Sequence, residues 1–213
     1  MKVKINQAKI NQALLKNPKM IKFIRDEIYS LAEEYAEKNK QEMLNEFDNH
    51  PVTKEIENGP DASNISNTLA GEGNLFSYIG FNEGDNPTEV VRDILNNSVK
   101  VDSRAKISAD SKGLKINFPI SAPTLSEIES QTPMPFEGGR SWVRGIEKGI
   151  SGFSNYIFRK FIQGSRSGTG IQTESEVRTG SFKPTSYMKQ ILNKFYLKIN
   201  AKINAWNHNL KIY

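Results

Sequence analysis

Chemistry in this chain would have to come from a short inventory of side chains. There are two histidines, His50 and His208, and no cysteine. Neither histidine has a second ligand at metal-binding spacing, and His208 sits among asparagines, so both are read as surface residues. The absence of cysteine removes disulfides, thiol nucleophiles and thiolate metal sites, and it fits synthesis in a reducing cytoplasm. No G-x-S-x-G elbow is present, and no serine–histidine pairing can be argued. The segment Gly164-Ser165-Arg166-Ser167-Gly168-Thr169-Gly170 resembles a phosphate loop only superficially. It lacks the lysine of a Walker motif and does not lead from an apolar strand into a helix. Glu127 and Glu129 could pair as acid and base, but nothing around them suggests a sugar-binding cleft. The expectation is a non-enzymatic protein with no cofactor.

One set of charged residues remains. Arg159, Lys160, Arg166, Arg178 and Lys183 flank or occupy a glycine- and serine-rich stretch over residues 163–181. A flexible basic loop can touch phosphates without reading sequence, and it can equally be an ordinary solvated loop. Aromatic and basic residues interleave in Phe158-Arg159-Lys160-Phe161, where Phe161 reads as core. The charge is uneven along the whole chain. Residues 1–137 hold 16 Lys+Arg and 21 Asp+Glu, a net of −5, whereas residues 138–213 hold 13 and 3, a net of +10. A basic C-terminal third calls for a polyanionic or acidic partner: either nucleic acid, or the acidic half of another copy.

The elements that must position these residues follow from the apolar pattern. With 213 residues the chain can form one domain with extended arms. A hydrophobic content of 37% and a mean hydropathy of −0.57 are low for a compact monomer and favour burial borrowed from neighbours. No apolar run approaches the ~20 residues of a membrane span, and the first residues lack a signal peptide's apolar stretch. Residues 1–16 read as an N-terminal arm in which Val3 and Ile5 alternate with lysines. Asn17-Pro18 starts a long amphipathic helix through Ile21, Ile24, Ile28, Leu31, Tyr35, Met43 and Phe47, ending at Asp48 before His50-Pro51. Residues 58–74 read as loop, and Leu75–Phe81 as a buried strand bounded by asparagine and glycine. Asn86-Pro87-Thr88-Glu89 starts a short helix whose apolar face is Val90, Val91, Ile94 and Leu95. A hairpin sets Val99 and Val101 against Leu114, Ile116 and Phe118 across the turn Asp110–Gly113. A proline-rich connection over 121–137, with a helical turn near Leu125 and Ile128, leads to the ambiguous segment around Trp142. Pro184 opens a C-terminal helix over residues 184–206, lined by Met188, Ile191, Leu192, Phe195, Ile199 and Ile203.

The order predicts an α+β fold: one small antiparallel sheet packed by the long N-terminal helix and the C-terminal helix, within a single domain. The candidate core is Phe76, Tyr78, Ile79, Phe81, Ile116, Phe118, Ile191 and Phe195. Residues 163–181, longer than compact domains usually carry, are expected to become ordered only against a neighbour.

Several of these pieces together resemble the head–tail joining proteins (neck and tail-completion proteins) of tailed bacteriophages. The residues that carry the resemblance are Asn64-Ile65-Ser66-Asn67-Thr68-Leu69 running into LFSYIGF, and Phe182-Lys183-Pro184 ahead of Tyr187 and Ile191. The segments HPVTKEI, GNLFSYIGF and GRSWVRGIEKGISGF are also similar to virion proteins of large contractile-tailed phages. The long helix and the stretch 163–181 depart from the smaller members. The resemblance implies a structural protein of the virion, assembled in the host cytoplasm. It implies a homo-oligomeric ring of six or twelve copies around the DNA channel, with portal or adaptor proteins on one side and tail tube or terminator proteins on the other. It implies no membrane and no catalysis, and possible non-specific contact with genomic DNA. The alternative is a non-specific nucleic-acid-binding protein outside any virion.

Overall fold

In a computed structural model, residues 9–10, 13, 16–69, 73–104, 106–110, 113–135, 137–149 and 184–209 are described. The fold is α+β. Helix α1 spans Pro18–Asp48, α2 Pro51–Glu57, α3 Leu75–Ile79 and α4 Pro87–Ser98. Strands β1 (Lys100–Val101), β2 (Lys106–Asp110), β3 (Gly113–Asn117) and β4 (Ile120–Ser121) follow. Helix α5 (Leu125–Ser130), β5 (Pro133–Met134), β6 (Glu137–Ser141), α6 (Trp142–Lys148) and α7 (Met188–Asn209) complete the order. Among the described residues, no helix is long and apolar enough to cross a membrane.

The chain divides into two compact units. One comprises Met1–Gln41, Ser98–Ala122 and Lys194–Tyr213, and the other Glu42–Asn97 and Pro123–Asn193.

The first unit contains most of α1, both β1–β4 and β2–β3, and most of α7. β2 and β3 form the expected hairpin, with Ile107 opposite Ile116 and Asp110 opposite Gly113. Val101 is not part of it. β1 pairs instead with β4, setting Val101 against Ile120 in a separate two-stranded ladder. Local chemistry interrupts the continuous ladder. Asp102 takes the backbone N–H of Arg104 on its own carboxylate at 2.9 Å, a turn that leaves the strand. Pro119, which has no N–H to donate, offers only its carbonyl, to Asp102 N at 2.8 Å. Phe118 lies just past β3, half-buried, with its ring 5.6 Å from that of Tyr29. The apolar core described in this unit is small: Ala32, Ala36, Phe195 and Ile199.

The second unit holds the larger core. The segment Leu75–Phe81 corrects the strand expected there: residues 75–79 are α3. The asparagine and glycine that seem to bound a strand are helix caps. The Asn74 side chain accepts from Ser77 N at 2.8 Å, and Gly80 adopts φ 89°. Gly80 N and Phe81 N both donate to Phe76 O at 3.2 Å, closing the helix end. Leu75, Phe76 and Ile79 are buried by helical rather than alternating spacing, Phe81 is buried beyond the cap, and Tyr78 is half-buried. The expectation of one sheet containing this segment is therefore overturned; the described strands form three separate antiparallel pairs. The third pair, β5–β6, lies within the segment that reads in sequence as a proline-rich connection, and it carries a bulge at Pro133/Met134.

Other starts and stops are set by side chains. His50 caps α2, accepting from Val52 N on Nδ1 at 3.2 Å, and Pro51 occupies the first helical turn. Thr124 and Glu127 form a capping box on α5. Ser141 caps α6, which resolves the ambiguous Trp142 segment as helix. α7 begins at Met188 rather than at Pro184, because Glu147 accepts from Tyr187 N at 3.1 Å and Lys189 N at 2.7 Å. In α4, Val91, Ile94 and Leu95 are buried but Val90 is 42% exposed. Rings chain through this core, from Phe76 to Phe81 at 5.5 Å and from Phe81 to Trp142 at 5.9 Å.

Candidate functional site

The surface that stands out is the outer side of α1 in the first unit. Helical spacing turns Ala32, Ala36 and Asn39 inward, where they are buried, with Ile21, Ile24, Ile28 and Tyr35 half-buried beside them. Tyr35 Oη donates to Lys198 O at 3.1 Å, and Asn39 Nδ2 to Tyr35 O at 2.7 Å, so the inner face is pinned by hydrogen bonds as well as packing. On the outside, Met20 is 41%, Phe23 62% and Leu31 53% exposed. These three fall in one stripe with Glu27 and Glu34 at spacings of three and four.

The charges along this stretch are segregated. Residues 16–25 carry Lys16, Lys19, Lys22 and Arg25 and no acid, while residues 26–37 carry Asp26, Glu27, Glu33, Glu34 and Glu37 and no base. Tyr29 Oη donates to Glu33 at 2.6 Å, and that bond, with burial second, holds the phenol pKa above its usual value. Glu37 is held below the usual carboxylate range, chiefly by Lys40 and then by Gln41. Glu33, Glu34 and Glu37 line an open hollow of about 500 Å³ with Val99, Lys100 and Val101.

The second unit has its own polar hollow, of about 290 Å³, between Ser126, Glu129, Ser130, Arg140 and Arg144. Arg144 Nε stands 3.9 Å from Glu129, a long ion pair open to solvent. Compared with family models, curated proteins and solved structures, the chain matches none. The reading of these surfaces rests on their own chemistry.

The basic residues expected to face a partner, Arg159, Lys160, Arg166, Arg178 and Lys183, lie outside the described residues, as does the glycine-rich run 164–170. Of the expected core, Phe76, Ile79, Phe81 and Ile191 are buried in the second unit and Phe195 in the first; the side chain of Ile116 lies outside the description. Glu127 serves the capping box, where the Thr124 backbone N–H and then its hydroxyl hold the carboxyl below its usual range. Glu129 faces Arg144, so the two acids do separate structural work. Among the described residues no group of three or more His, Cys, Asp or Glu could hold a metal ion.

Two polar centres have no warning in the sequence. Glu55 is fully buried, its two carboxylate oxygens accepting from Ser66 N at 2.8 Å and Leu75 N at 2.7 Å. Tyr187 is fully buried with its hydroxyl 2.7 Å from that of Thr53, beneath the rings of His50 and Phe47. Each is an anchor that ties chain segments together.

Proposed function

We propose that the protein is a structural, non-enzymatic subunit of a homo-oligomeric assembly, and that this assembly is a ring at the head–tail junction of a tailed bacteriophage. The observation that carries the assembly reading is the outer stripe of α1. A described core of two alanines, Phe195 and Ile199 accompanies three large apolar side chains left 41% to 62% exposed on one helix. Full burial of such a side chain is worth about 1.5–3 kcal/mol, and roughly half of that is still to be gained at each of these three. The ring, its six or twelve copies and its neck location come from the resemblance of the motifs at 64–81 and 182–191. In such a ring the net −5 of residues 1–137 and the net +10 of residues 138–213 suit contacts between unlike faces of successive copies.

Light scattering on the purified full chain, with negative-stain imaging, tests this. Rings of six or twelve copies are the expected result. A protein that stays monomeric up to high concentration and binds DNA tightly, in a strongly salt-dependent way, would overturn the reading in favour of a nucleic-acid-binding role.

A further inference from the structure

The outer stripe of α1 also specifies a partner and an orientation. Its apolar members, Met20, Phe23 and Leu31, are too few to select one surface over another by area alone. The charges around them are more selective. The segment begins with four basic residues, Lys16, Lys19, Lys22 and Arg25, and continues with five acidic ones, Asp26, Glu27, Glu33, Glu34 and Glu37. Two copies laid parallel would set base on base and acid on acid. Laid antiparallel, each basic stretch meets the acidic stretch of the other, and a two-fold axis makes every such contact twice.

We propose that α1 pairs antiparallel with α1 of a second copy, about a two-fold axis passing beside Asp26 and Glu27. With that axis, Lys19 of one copy lies alongside Glu34 of the other, and Lys16, in the turn just before α1, lies toward the other's Glu37. Met20 and Phe23 then flank the second copy's Leu31, which buries the three exposed apolar side chains of each helix. Lys16, Lys19, Glu27, Glu34 and Glu37 are all exposed, so the pairing needs no rearrangement of the inner face. Two like-charge contacts weaken the pair: Glu27 meets its own counterpart near the axis, and exposed Lys38, which continues the stripe beyond Glu34, falls near the other copy's Lys16. A two-fold contact is not one that a cyclic ring repeats around its axis. The pair therefore occupies the stripe that carries the assembly reading, and the subunits of the proposed ring meet through other faces, the oppositely charged ones, so that the two contacts can coexist.

The chain's lack of cysteine makes the test direct. Single-cysteine variants of the full chain are oxidised at low concentration and scored for covalent dimers. Glu27→Cys is expected to crosslink to itself. Met20→Cys is not, because its two copies lie about 20 Å apart along the helices, beyond the reach of a disulfide. A mixture of Met20→Cys and Leu31→Cys is expected to give the heterodimer. In sedimentation, Phe23→Asp should weaken self-association at least about tenfold and Glu27→Gln should tighten it. Lys16→Glu with Lys19→Glu should weaken it, and adding Glu34→Lys with Glu37→Lys on the same chain should restore it. Equal crosslinking at 20 and 27 would overturn the antiparallel order. Absence of every crosslink would overturn the pair itself, whether or not rings are seen. Covalent dimers with no ring under any condition would leave the pair standing and sink the ring.

Discussion

Tyr187 shows how a single side chain ties folding to pH. Its phenol is fully buried and shares a hydrogen bond with Thr53. Burial is the main cause that pushes its pKa well above the usual tyrosine value. The Thr53 bond opposes that shift, and the nearby carboxylates of Glu57, Glu147 and Asp48 add to it. The folded pKa lies above the unfolded value of about 10, so this contribution to stability is complete below that pH and is lost as pH rises past it. Tyr187→Phe should cost about 1–2 kcal/mol near neutrality, since Thr53 is left buried without its partner. It should also flatten the alkaline decline. Urea midpoints measured from pH 8 to 11 check both, and parallel declines in the two proteins would refute the assignment. Glu55 is the second such residue. Glu55→Ala strands the backbone N–H groups of Ser66 and Leu75 and should cost about 2–4 kcal/mol by urea unfolding, with Glu55→Gln recovering part of it. Neither role is legible in the sequence. Glu55 sits in a seven-residue helix with no periodicity to mark it as internal, and its donors lie 11 and 20 residues away.

At the scale of elements, the pattern of apolar residues was most informative where helices are long. The limits of α1 and the helical character of α4 and α7 follow from spacing and caps. Short segments are ambiguous: over seven residues, apolar content does not separate strand from helix, and Asn74 and Gly80 suit either boundary. The helix is decided by what those two residues bond, which only the folded chain reveals. The core assignment survives the change of element, because Ile79 is fully buried in α3 as it would have been in a strand. Ile79→Asp should cost about 4 kcal/mol or more, since the charge has no partner there. Gly80→Ala separates the two descriptions. At φ 89° an alanine is strained, and a cost of about 1 kcal/mol by thermal or urea unfolding is expected. A neutral Gly80→Ala would mean that the left-handed cap is not formed. The exposed stripe of α1 is half legible: the low hydrophobic content favours burial borrowed from neighbours, but spacing places Leu31 in the inner row. Only the folded unit shows Leu31 turned outward.

Over the whole molecule, charge is the feature that composition alone exposes and that reaches furthest. A net of −5 over residues 1–137 and of +10 over residues 138–213 suits an acidic face of another copy, and it suits nucleic acid equally. Both attractions weaken with salt, so a salt titration does not separate them. Reversal of charge does. Arg166 and Arg178 lie in a stretch with few apolar residues, and their substitution changes the charge of the basic third without removing an apolar side chain. If the basic third meets protein, Arg166→Glu with Arg178→Glu should block ring formation or docking, and an acid-to-base change on the facing surface should restore it. If it meets DNA, rings should form normally and particles should instead lose packaged genome. Under the proposed ring, protein is the favoured partner, because DNA threading its channel would make sliding contacts that need little affinity, whereas a contact between subunits must hold a fixed geometry. Limited proteolysis adds an independent readout: residues 163–181 should be cut first in the free subunit and be spared in the assembly. Normal assembly together with full genome retention in the double variant would sink both versions and leave the positive charge as solvation alone.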